Sequence, residues 1–109
     1  MKDLESLKKE IIQFRDERDW RQFHSSKDLA LAISIEASEL NELFLWKGNE
    51  DVDTEKLKEE LADVFIFSIL LADKHGMDIL SIIEEKLVKN SIKYPISKAK
   101  GTAKKYNEL

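Results

Sequence analysis

The sequence predicts an all-α fold of about four helices, on three observations. Apolar residues recur at helical spacing in four successive segments. One Pro and three Gly in 109 residues suit long helices with short connections. The third segment is apolar on nearly every side, which a chain this small can hardly cover alone. That last feature implies a subunit interface and an oligomer.

The first helix spans about Asp3 to Glu17, where Leu4, Leu7, Ile11 and Phe14 share one side. RDERDWRQFHSS follows as a connecting segment holding Trp20, Phe23 and His24. Aromatics in such a segment either pack over a core edge or await a flat ligand, and the sequence leaves both open. Ser25 or Ser26 can cap the next helix.

The second helix, Leu29 to Trp46, carries an apolar stripe of Leu29, Ile33, Leu40, Leu43 and Phe44. Glu36 falls in the middle of that stripe, and Glu39 lies at its edge one turn on. The helix is expected to end near Lys47–Gly48, with Gly48 as C-cap. Asp53 or Thr54 can cap the third helix, which runs to about His75 and stops at Gly76. Glu60 and Asp63 are again three apart, on the stripe of Phe67, Leu70 and Leu71. His75 is expected to complement the dipole at the helix end.

With 22 acidic residues, such spacings arise by chance on any charged helix. These two pairs, however, sit on apolar faces of separate helices. Burying a lone carboxylate is costly, and two side by side repel, so a cation should stand between them. Facing each other, the pairs would form a cage of oxygens suited to Mg²⁺ or Mn²⁺.

Asp78 can cap a fourth helix with Ile79, Ile82, Ile83 and Leu87 on its core face. Lys86, Asn90 and Lys93 then follow at i, i+4 and i+7. Such a row can meet phosphate oxygens, or can be a solvated helix end. Pro95 forces Tyr94 out of helical conformation. Residues 1–95 therefore read as the helical domain and 96–109 as a polar, Lys-rich tail.

Composition excludes several classes. No Cys means no disulfide, thiolate metal site or cysteine nucleophile. A net charge of −4 argues against nucleic acid as main partner. The N-terminal residues read as a charged helix rather than a signal peptide, and the longest apolar run is too short and polar to span a bilayer. A cytoplasmic protein is expected. A di-iron oxidase needs Glu-x-x-His motifs, but Arg21 and Ala72 precede His24 and His75. A non-enzymatic helical dimerisation module would explain the apolar faces but not the acids within them.

ERDWRQFH, the ExxE and ExxD pairs, and KxxxNxxKYP together resemble the MazG-like all-α nucleotide pyrophosphohydrolases, most of all the dCTP pyrophosphatase branch. Lys104, Tyr106, Glu108 and Leu109 extend the likeness to the end of the chain. The resemblance implies a helical bundle assembled as a dimer or dimer of dimers. It implies Mg²⁺-dependent hydrolysis of nucleoside triphosphates to monophosphate and pyrophosphate. By position, Glu36, Glu39, Glu60 and Asp63 match the metal ligands. Trp20, Arg21, Gln22, Phe23, His24 and Trp46 match nucleotide-contacting segments, and Lys86, Asn90, Lys93 and Tyr94 match the phosphate side.

The chain departs from its relatives where Ile35 replaces the first acid of EExxE, Phe67 replaces Tyr, and Ile11 replaces a His found in some. On this reading Glu36 or Glu39 orients or deprotonates the attacking water. Trp20, Trp46 and Phe67 form a slot for the base, with His24 and Gln22 at its rim. The expected preference is for pyrimidine deoxynucleotides, dCTP first.

Overall fold

A computed structural model of the chain describes residues 2–48 and 50–109. Helix α1, Leu4–Glu17, starts where the Asp3 carboxylate accepts the Ser6 N–H at 2.8 Å, satisfying one of the donors a helix start leaves open. Arg18 ends it: its guanidinium donates to the Phe14 carbonyl and lies 3.5 Å over the Phe14 ring. Asp19 then takes a left-handed conformation, φ 53°, and turns the chain into a 3₁₀ turn, Trp20–Phe23.

Helix α2, Ser26–Glu42, is capped by the Ser25 hydroxyl, which accepts the Asp28 N–H. It ends four residues before the Trp46 end expected from its pattern. From Leu43 to Leu45 the N–H groups bond three residues back, which tightens the last turn. The left-handed stop assigned to Gly48 falls on Trp46, φ 63°. Hydrophobic periodicity marks the side that packs, and continues through a 3₁₀ tail without marking where α-geometry stops.

Helix α3, Thr54–Lys74, begins at Asp53, whose carboxylate accepts from Glu55 and Lys56 N–H. It stops at Gly76, φ 65°, a conformation that suits glycine. Helix α2 packs chiefly against α3, and α1 lies on α3. Among the described residues the buried apolar ones are Leu29, Ile69, Leu70 and Ala72. At the C-terminus of α3 the His75 Nε2 and the Ser26 hydroxyl are hydrogen-bonded at 2.9 Å, tying the end of α3 to the start of α2. The all-round burial expected of α3 is not met by a single chain: Phe65 is 62% exposed.

Residues up to Gly76 form one compact unit and residues from Met77 a second. The second holds α4, Ile79–Lys93, capped by Asp78, and a short α5, Ile96–Ala99. A 3₁₀ turn, Tyr106–Glu108, closes the chain. The tail expected to lack a core pattern is thus partly ordered. Tyr106 meets the Tyr94 ring edge-on at 6.3 Å, and Lys93 Nζ lies 4.9 Å over Tyr106.

Leu29 is 1% exposed and anchors α2 on α3. Leu29→Ala should cost about 2–5 kcal/mol in urea unfolding. A loss below about 1 kcal/mol would show that the α2–α3 seam does not depend on it.

Candidate metal centre and adjoining pocket

Carboxylate oxygens of Glu36, Glu60 and Asp63 lie within 4.8 Å of one another. Helical spacing puts Glu60 and Asp63 on one face of α3, and α2 packing turns Glu36 toward them. All three are half-buried. One oxygen each of Glu36 and Glu60, Oε2 in both, is buried with no hydrogen-bond partner. A buried acceptor without a donor is a cost, and an ionised carboxylate can only accept.

The electrostatics agree. Desolvation first, then hydrogen bonding to Glu60 and Glu39 and the charges of Glu39 and Asp63, push the Glu36 carboxyl up to about 7. The Glu60 carboxyl is raised as well, by desolvation first and also by Glu39 and Asp63. Glu39 stands beside Glu36 and Glu60 but outside the triplet. Orphaned hard oxygens and clustered negative charge both fit a hard divalent cation.

Asp63 also lines a pocket of about 340 Å³ in the same unit. Trp20 and Phe67 stand in its wall, with Phe14 meeting Trp20 edge-on at 5.7 Å. His24 lines it too; burial first, then the charges of Arg15 and Lys74, lowers its pKa and favours the neutral ring. Trp20 and His24 come to one side because residues three to four apart share a side in a tight helical turn.

Other candidate residues are not part of that lining. Arg21, Gln22 and Phe23 are exposed and do not line the pocket, and Gln22 bonds back to Asp19. Trp46 is 94% exposed and also outside the lining. Lys86, Asn90, Lys93 and Tyr94 belong to the second unit; Lys93 and Tyr94 contact Tyr106 there. Sequence reasoning missed Glu10, Phe14, Arg15, Ile66 and Leu70 as pocket residues. Arg15 carried a signal: it lies four residues after Ile11, a charge at the edge of an apolar stripe.

A MazG-like family model matches residues 31–109. Mouse and human dCTP pyrophosphatase 1 are 35% and 36% identical over 97% of this chain, which spans 67% of each relative's length. A crystal structure of a pyrophosphatase from Archaeoglobus fulgidus superposes with a TM-score of 0.76 at 35% identity, covering 87% of this chain and 94% of that one.

The raised Glu36 carboxyl has a measurable consequence. Its folded-state value, about 7, lies above the ordinary 4.5, so this group favours the folded state fully below pH 4.5 and the benefit is lost as pH rises to about 7. Glu60 acts in the same direction. Chelator-treated protein should therefore lose part of its Tm between pH 5 and 7.5, and Glu36→Gln should flatten that loss. Millimolar Mg²⁺ should raise Tm more at pH 7.5 than at pH 5, because protons compete with the metal. An identical pH slope in wild type and Glu36→Gln would show that the cluster does not titrate as a unit.

Proposed function

We propose a reaction for this chain from one premise: it belongs to the MazG-like family. It is a nucleoside triphosphate diphosphatase, a nucleotide pyrophosphohydrolase. The finer reading is Mg²⁺-dependent hydrolysis of a deoxynucleoside triphosphate to monophosphate and pyrophosphate, with dCTP or a 5-substituted form as preferred substrate. One observation carries it: Asp63 belongs both to the acidic triplet and to the wall of the aromatic pocket. A ring held against Trp20 and Phe67 would have its phosphates beside the acids.

On this reading Glu36, Glu60 and Asp63 hold the metal. Bound Mg²⁺ would offset phosphate charge and acidify a coordinated water. Glu39, beside the triplet, orients the attacking water and accepts its proton. Trp20 and Phe67 hold the base by stacking, worth about 1–3 kcal/mol per base and tolerant of many bases. Lys86, Asn90 and Lys93 are assigned to the phosphates from their spacing alone.

The reading includes an oligomer, a dimer or dimer of dimers. Along α4, Ile83, Leu87, Val88 and Ile92 are 47–76% exposed, and on α3 Phe65 is 62% exposed. Apolar rows of that kind mark interaction surfaces. Trp46, exposed and strained in its backbone, is assigned to the substrate only within such an assembly.

With Mg²⁺ and dCTP, the protein should release dCMP and pyrophosphate in equal amounts; orthophosphate with dCDP would sink the reading. Glu36→Gln, Glu39→Gln, Glu60→Gln and Asp63→Asn should each lower kcat by about a hundredfold or more while the fold persists. Near-normal turnover in all four would separate the acids from the chemistry. Light scattering at micromolar concentration should show at least a dimer, and a stable monomer would refute the assembly.

A further inference from the structure

The pocket wall contains one buried charge whose presence the reaction does not explain. Arg15 on α1 is 5% exposed and lines the pocket. The remaining polar lining is accounted for. Asp63 belongs to the acidic triplet, Glu10 pairs with Lys2 at 2.7 Å, and His24 is held toward its neutral form.

Arg15 is also held still. Its Nε donates to Asp16 at 2.9 Å and its Nη1 to Asp73 of α3 at 3.0 Å. Burial works against its charge, but the hydrogen bonds of Asp16 and Asp73 outweigh it and raise its pKa. A guanidinium has five N–H donors and no acceptor, and these two bonds use one each. The pocket wall around Arg15 is built largely of Ile11, Phe14, Trp20, Ile66 and Phe67, which offer its remaining N–H groups almost no side-chain acceptor. A ring filling this space would strip water from them, and a desolvated, unpaired donor on a charged group is heavily penalised.

Arg15 is, we propose, a specificity-determining residue that selects a base presenting two adjacent acceptors. This rests on the nucleotide reading of the pocket given above. Cytosine offers O2 and N3 side by side. Thymine and uracil interpose an N3–H between their two oxygens, so a donor would face a donor. Guanine offers O6 and N7 on a larger ring. A planar, fixed fork of N–H groups matches the adjacent pair, and a site built to hydrogen-bond rejects a ring that lacks the match. Asp16 and Asp73 act as positioning residues by fixing the plane of the fork.

Calorimetric binding of dCMP and dTMP, two monophosphates of nearly equal size, tests this without requiring turnover. Wild type should bind dCMP on the order of tenfold more tightly than dTMP. Arg15→Met should abolish that ratio by weakening dCMP, and Arg15→Lys should restore it only in part. Equal wild-type affinities overturn the proposal. So does an equal loss for both ligands in Arg15→Met, which is the signature of a merely structural ion pair. Should Arg15→Met fail to fold by circular dichroism, wild type is titrated with 3-deaza-dCMP, which lacks the N3 acceptor; binding as tight as dCMP overturns the proposal, and a tenfold loss supports it. Failure of the pyrophosphohydrolase reading would register separately, as absent pyrophosphate release from every triphosphate tested.

Discussion

Mutual repulsion and desolvation of carboxylates at the α2–α3 seam is the constraint on which the rest of the site depends. Glu36, Glu60 and Asp63 approach within 4.8 Å, and two of their oxygens are buried without a donor. Such a cluster persists only where stronger packing holds its helices in place. Leu29, Ile69, Leu70 and Ala72 supply that packing, and Asp53, Ser25 and the His75–Ser26 bond secure the helix ends. The strain is useful, because a cation that neutralises it gains affinity from relief of repulsion as well as from its own bonds.

The pocket is a second consequence of the same seam. Phe67 lies four residues beyond Asp63, so the face of α3 that carries the acid also carries an aromatic ring. Helix α1 supplies the facing wall through Ile11 and Phe14, and the left-handed Asp19 brings Trp20 and His24 back toward it. The Arg15–Asp73 bond joins α1 to α3 beside that space. With the Arg15 side chain 6% and the Asp73 side chain 30% exposed, the pair is screened by salt less than the exposed Lys58–Glu55 pair of α3.

Much of this was legible in the chain. Glu36 stood out because a carboxylate on an apolar stripe conflicts with the pattern around it, and Glu60 and Asp63 repeated the conflict on a second helix. The cap at Asp78, and those at Ser25 and Asp53 to within one residue, were readable because a cap is a local event, one side chain and an N–H two or three residues on. The early end of α2 was not, since a 3₁₀ turn continues the same apolar side.

The sequence by itself determined the helices, their apolar faces, the acids placed on them and the likeness to one family, because each depends on spacing along the chain. Only the tertiary structure decided which acids converge, separating Glu39 from the triplet, and which aromatics line the pocket, admitting Phe14 and leaving Trp46 in solvent. It alone brought Asp73 to Arg15 across 58 positions of sequence. Periodicity fixes the direction of a side chain around its own helix axis. The distance between two helices, and so the meeting of side chains from both, is set by packing that no single segment contains.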